Sequence, residues 1–246
     1  MTATAIGWIS PDWPVPGHVR VISTLRAGGV SDGPYASLNL AAHVGDRPEA
    51  VRANRLLLRE AAHLPAEPLW LEQVHGTDVA RDASASAPRA DASVVFAPGR
   101  VSAVMTADCL PVVLADRGGT RVGVAHAGWR GLLGGVLQAT VAALDAPPGD
   151  LHAWLGPAIG PEAFEVGPEV RDAYLASVPG SEACFRPNAG GRFLADLYGL
   201  ATLVLERAGV EGVHGGGWCT HGQAEQFFSY RRDGVTGRMA TLAWLT

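Results

Sequence analysis

Short apolar runs rich in β-branched residues, several of them following one another with no helix between, constrain this chain more than any other feature of its sequence. Runs at Arg20–Leu25, Leu69–Val74, Ser93–Phe96, Val101–Thr106, Pro111–Leu114, Arg121–Ala125, Leu151–Leu155, Val213–Trp218 and Arg238–Trp244 have the length and composition of strands. Helical spacing, with apolar residues three and four apart, is clear only at Pro48–His63, Leu132–Leu144, Pro168–Ala176 and Ala195–Ala208, where Asp, Glu or Pro tends to open the segment. A regular strand–helix alternation would predict a parallel βαβ sheet. Consecutive strands argue against that regularity and predict a mixed α/β sandwich. The chain is read as one domain over 1–246, with 48% hydrophobic residues to supply its core.

Several function classes drop out early. All 19 basic residues are arginine, which excludes a lysine Schiff base, a lysine nucleophile and the lysine-dependent phosphate loop. A net charge of -5 offers no electrostatic reason to bind nucleic acid and favours small substrates. No apolar stretch reaches the roughly 18–20 residues of a membrane span, and Pro11, Asp12, Pro14 and Pro16 break any apolar leader. A cytoplasmic protein is the expectation. The three cysteines, Cys109, Cys184 and Cys219, are odd in number and far apart, which argues against a disulfide framework. The Ala/Ser/Pro stretch from Arg81 to Ala90 reads as a surface loop.

Three segments differ in character from ordinary core sequence: Glu72-Gln73-Val74-His75-Gly76, Thr106-Ala107-Asp108-Cys109-Leu110-Pro111, and Ala125-His126-Ala127-Gly128-Trp129-Arg130-Gly131. Each ends an apolar run on a possible metal ligand followed by Gly or Pro, so the side chain can project into a mouth rather than a packed layer. One thiolate and two imidazoles suit zinc, and three protein ligands leave a fourth position open, as catalytic sites do. The long separations match no local zinc motif. On spacing alone, hydrogen-bonding histidines and a buried cysteine are the commoner readings. Asp108 argues against them, since a carboxylate within an apolar run needs a partner.

Further motifs extend the pattern. Arg26-x-Gly28-Gly29-Val30-Ser31, Gly33-Pro34-Tyr35-Ala36-Ser37-Leu38-Asn39-Leu40, His43-Val44-Gly45-Asp46 and Asn54-Arg55 lie upstream. Downstream lie Gly156-Pro157-Ala158-Ile159-Gly160, Phe228-Ser229-Tyr230-Arg231-Arg232-Asp233-Gly234 and Thr236-Gly237-Arg238-Met239. In this order, and over nearly the whole chain, they resemble the YfiH-type family. The resemblance implies a four-layer α/β/β/α sandwich with mixed sheets, related in fold to the catalytic domain of cytotoxic necrotizing toxins. It also implies a zinc held by His75, Cys109 and His126. Members are described as purine nucleoside phosphorylases that also deaminate adenosine and cleave methylthioadenosine. Other labels are laccase-like multicopper polyphenol oxidase, which would make the metal copper, and a peptidoglycan editing factor that removes a misplaced serine from a cell-wall precursor. Phe164 stands where many relatives carry tyrosine.

These implications set the expected roles. His75, Cys109 and His126 are the expected metal ligands and catalytic residues, with Asp108 as general acid or base or as the partner that orients a histidine. Purine nucleosides and phosphate are the expected ligands, and deamination would use a geometry other than the H-x-E with P-C-x-x-C pattern. Arg55 is the expected phosphate contact, weighed against a solvated helix face. Ser31 and Asn39 are candidates for ribose hydroxyls, weighed against ordinary turn chemistry. Arg231 to Gly234 reads as a charged hairpin tip, while His214, His221 and Cys219 lack the spacing of a second metal centre. A metal-free alternative makes Cys109 the nucleophile of an amidase with His75 or His126 as base. A nucleotide-binding module without catalysis is the third class. Eight histidines, with His18, His63 and His152 isolated, are too few for a multicopper oxidase.

Overall fold

The β-branched runs pair into sheets in a computed structural model of the chain, which describes residues 5–81 and 87–246. The chain first forms β1 (Trp8–Ile9), β2 (Val19–Thr24), helix α1 (Pro48–Ala61), β3 (Val79–Arg81), β4 (Ala92–Val95), β5 (Val101–Thr106), β6 (Leu110–Asp116) and β7 (Val122–Ala127). It continues through α2 (Trp129–Gly134), α3 (Val136–Ala143), β8 (Leu151–Leu155), β9 (Glu165–Val166), α4 (Pro168–Ser177), β10 (Phe185–Pro187) and β11 (Phe193–Ala195). It ends with α5 (Leu197–Arg207), β12 (Gly212–Gly215), α6 (Tyr230–Asp233) and β13 (Met239–Leu245). One sheet has the order β1-β2-β13-β5 and a larger one the order β12-β8-β6-β7-β4-β3, with a small β10-β11-β9 sheet beside them. The larger sheet is mixed: β12 with β8 and β3 with β4 run parallel, and the other neighbours antiparallel.

Strand alternation sorts the side chains into separate cores. On β13, Ala240, Leu242 and Trp244 pack with Leu58 of α1 and with Met105. Ala243 and Leu245 point the other way, into a core with Val113, Val122, Val124 and Trp154 of the larger sheet. The far side of that sheet sets Val112, Leu114 and Ala125 among Leu137 and Val141 of α3 and Leu200 and Val204 of α5. The layers therefore run α/β/β/α, the sandwich that the family resemblance implies. Burial on both faces explains why β5 and β7 carry small and apolar residues on both sides instead of alternating apolar with charged ones.

Several local expectations give way to tertiary context. Leu69–Val74 touches its neighbours only at isolated bridges, Leu69 to Ser102 and Glu72 to Arg89, because the next backbone N–H groups turn to a carboxylate instead of a strand. The helical run Leu132–Leu144 is broken at Gly135, whose φ of 103° closes α2 before α3 begins. Arg231 to Gly234 is a helical turn and not a hairpin tip, since the Ser229 hydroxyl accepts the Arg232 N–H as an N-cap at 3.2 Å. Within the expected loop from Arg81 to Ala90, residues 82–86 lie outside the described residues. Among the described residues no helix is long and apolar enough to cross a membrane.

Candidate metal centre and its cavity

The chain leaves the smaller sheet at Thr106 and enters the larger one at Leu110, and Cys109 sits in that crossover. His126 lies next to the end of β7, and Asp91 immediately precedes β4, which pairs antiparallel with β7. One end of the sandwich thus collects three ligand-type side chains from distant stretches of sequence. Among the described residues, His75, Cys109 and His126 form the single group of three or more potential ligands, with donor atoms all within 4.8 Å of one another. The Cys109 sulfur lies 3.8 Å from His75 Nε2.

Asp91 organises this cluster. Its Oδ1 sits 2.8 Å from His126 Nδ1 and accepts the His75 backbone N–H at 2.9 Å. Its Oδ2 accepts from the backbone N–H groups of Val74 and Gly76 at 3.1 and 2.6 Å. An ionised carboxylate only accepts, so His126 Nδ1 carries a proton and Nε2 is the atom that would face a metal, once a metal displaces the proton it holds. The same carboxylate holds the turn in which His75 adopts a φ of 60°, a left-handed backbone that costs a non-glycine residue free energy. Gly128 supplies the remaining space: a Cβ there would meet both Cys109 Sγ and His75 Cδ2 at 2.9 Å.

Electrostatics couple Cys109, His126 and Asp91. Burial alone would push the Cys109 thiol up, but the charge of protonated His126 and hydrogen bonds from both imidazoles outweigh it and hold the thiol well below its ordinary value. At His126 burial pulls downward, and the Cys109 thiolate and the Asp91 hydrogen bond together raise it. Burial also works against the Asp91 carboxylate, yet the His126 bond and the backbone N–H groups keep it below the usual carboxylate range. Thiolate is the metal-binding form of cysteine, so the protein's own field favours ligation at Cys109. Tetrahedral bonds of about 2.0–2.3 Å set ligand atoms roughly 3.3–3.8 Å apart. The observed cluster fits a bound metal with small side-chain adjustments.

The cluster opens into a cavity of about 540 Å³, lined also by Trp129, Arg130, Phe164, Tyr230, Arg231 and Arg238. That volume lies in the range of small-molecule sites. Asp108 lines it too, with a φ of 93°, but its oxygens accept the Thr220 hydroxyl and the Arg231 backbone N–H, both at 2.6 Å. The carboxylate that orients a histidine is Asp91, not Asp108. Asp91 carries in the sequence the same signal as Asp108, a carboxylate against an apolar run, but without a cysteine beside it to mark a site.

The other expected substrate contacts lie outside the cavity lining. Arg55 donates Nε and Nη2 to the Leu40 carbonyl at 3.0 and 2.8 Å and stacks 4.1 Å over Trp70. Ser31 donates to Asp46 at 2.6 Å and accepts from Asn54 at 2.9 Å. Asn39 donates to Asp46 and to the Ala41 carbonyl and accepts the Ala41 and Arg238 N–H groups. Their polar atoms are consumed by the loop that they build. Away from the site, His214 Nε2 meets His152 Nδ1 at 3.3 Å, and Cys219 accepts the N–H groups of Gly160 and Gly222.

Comparison with known proteins adds three kinds of likeness. A family model described as multi-copper polyphenol oxidoreductase laccase matches residues 20–246. A Pseudomonas aeruginosa protein named as a purine nucleoside phosphorylase is 54% identical over 239 residues, 97% of this chain and 98% of its own. The Escherichia coli purine nucleoside phosphorylase YfiH is 53% identical, covering 96% of this chain and 98% of its own. The crystal structure of the Neisseria meningitidis protein NMB0706 superposes with a TM-score of 0.93 at 53% identity, covering 97% of this chain and 98% of that one.

Proposed function

This chain belongs to the YfiH-type, laccase-like family, and from that premise we propose that it is a zinc-dependent purine nucleoside phosphorylase that also deaminates adenosine and cleaves methylthioadenosine. Relatives that share about half of its residues along nearly their whole length carry the phosphorylase name. The observation that carries the reading is the convergence of His75, Cys109 and His126 on one wall of a cavity large enough for a nucleoside. In this proposal those residues are the metal ligands. One thiolate with two imidazoles suits zinc, and this is the single group of three or more potential ligands among the described residues.

A zinc ion bound there would supply a Lewis acid with one coordination position left for chemistry. The protein residues do the rest. Asp91 holds the His126 tautomer and the His75 turn, so both imidazoles meet the cavity in a set orientation. Trp129, Phe164 and Tyr230 give the cavity an aromatic lining for a purine, each ring with an arginine over it. Asp108 anchors α6 through the Arg231 N–H, which keeps Tyr230 and Arg231 at the mouth.

The test is mass spectrometry of the products from a nucleoside panel, with and without phosphate, beside a serine-containing cell-wall precursor, on protein of measured metal content. Ribose 1-phosphate formed only with phosphate is the expected result. One observation favours a second reading. The lowered thiol pKa of Cys109 beside His126 also suits an amidase nucleophile. Serine release by metal-free protein, without nucleoside turnover, would establish that reading instead.

A further inference from the structure

The cavity holds three arginines, Arg130, Arg231 and Arg238, and they are not equivalent. Arg130 is exposed and stacks on its neighbour Trp129 at 4.3 Å. Arg231 is exposed, donates Nη1 to the Glu165 carbonyl at 2.8 Å and lies over Phe164. Arg238 is half-buried, and its Nη1 donates to the carbonyls of Thr236 and Gly237 at 2.9 and 3.0 Å. Among the described residues, its Nε and Nη2 have no hydrogen-bond partner, and neither do Arg231 Nε and Nη2 or the Arg130 guanidinium, so what sets Arg238 apart is its burial and the bracing of its backbone. Arg238 Nε and Nη2 form one edge of the guanidinium fork, the edge that grips an oxyanion through two parallel bonds.

The backbone around Arg238 is braced from the N-terminal loop. The Arg238 N–H donates to Asn39 Oδ1 at 3.0 Å, and its carbonyl accepts the Leu40 N–H at 3.3 Å. The Leu40 carbonyl in turn receives both donors of Arg55. Gly237 allows this close fit, since a Cβ there would stand 2.7 Å from the Phe228 ring and 3.0 Å from Asn39 Cβ. Asn39 and Arg55, which do not line the cavity, thus position a residue that does.

We propose that Arg238 is the oxyanion-binding residue of the cavity, gripping a phosphate beside His75, Cys109 and His126, with Asn39 and Arg55 as its positioning residues. Burial lowers the Arg238 pKa and the nearby Cys109 and Asp108 oppose it only in part, but the guanidinium's ordinary value is high enough that it keeps its charge. The Asp108 carboxylate does not repel the ligand unopposed, as its oxygens are occupied by Thr220 and the Arg231 N–H. The choice of phosphate rests on the phosphorylase reading. The same fork would take a phosphoryl group carried by a nucleotide.

The experiment titrates metal-loaded protein with inorganic phosphate and, separately, with adenosine and adenosine 5′-monophosphate, by calorimetry, in wild type, Arg238→Met, Arg238→Gln and Arg55→Met. Loss of a bidentate charge-assisted contact should weaken phosphate binding about tenfold or more in Arg238→Met, with adenosine affinity changed by less than about twofold. The phosphate KM should rise in step. Arg55→Met should lower the Tm and move phosphate affinity less, because it acts through Leu40. If the methionine variant does not fold, Arg238→Gln, which keeps a donor toward Thr236 and Gly237, decides the question in the same way. Monophosphate binding that depends on Arg238, without binding of free phosphate, assigns the fork to a nucleotide. Phosphate binding that depends on Arg238, in a wild type without phosphorolysis, keeps the site and removes the phosphorylase reading. Unchanged affinity for both anions in a folded Arg238 variant, or no binding of either by wild type, overturns the proposal.

Discussion

The N-terminal loop around Ser31, Asn39 and Asp46 and the cluster of His75, Cys109 and His126 are both dense in polar side chains, yet they dispose of their hydrogen bonds in opposite ways. In the loop Ser31, Asn39, Asp46 and Asn54 close on one another, while His43 of the same loop lines the cavity. Buried Asn54 accepts from the Val30 N–H and donates to the Ser31 hydroxyl and the carbonyls of Ser37 and Asn39. Asp46 gathers Ser31 and Asn39. In the cluster the hydrogen bonds lie behind the ligands, at Asp91, and the ligand atoms converge with only one another for company. A closed network is scaffold, whereas a converging set of unspent donor atoms, backed by a rigid carboxylate, is a site.

The hardest test of that contrast removes the ligands. His75→Ala, Cys109→Ala and His126→Ala should each lower turnover by about a thousandfold or more and strip the metal, since one of three bonds to it is lost. Cys184→Ala should keep both properties. Cys219→Ala should keep them with a modest loss of Tm, because its sulfur accepts two backbone N–H groups. Metal analysis and kinetics read the outcome. Full activity of metal-free Cys109→Ala protein would return the cluster to the status of the loop.

Asp91→Asn is the next largest perturbation. It keeps the shape but weakens three backbone contacts and the hold on the His126 tautomer, so metal affinity should fall about 10–100-fold. The variant also carries a pH signature. The folded Asp91 carboxyl is held below its unfolded value, so its stabilisation is complete above that unfolded value, about 3.9, and is lost as pH falls through the folded one. Wild type should therefore lose stability more steeply than Asp91→Asn below about pH 4. Parallel acid-denaturation curves would remove Asp91 from its central place.

Asn54→Ala probes the other side of the comparison. Losing a fully buried amide and leaving its partners unpaired should cost about 3 kcal/mol of stability. Metal content should stay at the wild-type level, which calorimetry and metal analysis can check together. A variant that keeps its Tm but loses metal would show that loop and site are not separable. The smallest expected effect is that of Phe164→Tyr, which adds one hydroxyl at the cavity wall beneath Arg231. The ratio of kcat/KM for adenosine and inosine should shift less than about fivefold with an unchanged Tm, the scale of one neutral hydrogen bond.

The strands and the amphipathic helices were legible because their signals are local: β-branched runs for β2 and β5, and apolar spacing after Pro48 for α1. The order of the sheets was not. Pairing β13 between β2 and β5 joins segments far apart in sequence, and no local period encodes that neighbour relation. The short strands β9, β10 and β11 were invisible for a related reason, since two or three residues carry no pattern of their own. At the site, residue chemistry alone singled out His75, Cys109 and His126 as ligand types, and the absence of lysine restricted any cationic anion contact among the common charged side chains to arginine.

Which arginine was a tertiary decision. Arg55 and Arg238 look alike in sequence, but Arg55 packs on Trp70 and spends its fork on Leu40, while Arg238 keeps two donors at the cavity. Asp91 and Asp108 divide in the same way, one orienting a histidine and the other anchoring a helix. By itself the sequence determined the chemical types available and the local elements that carry them. The partition of each polar group between scaffold and site depended on which partners the folded sandwich brought within hydrogen-bond reach. A hydrogen bond is made or missed over less than an ångström, a distance set only after all the layers have packed.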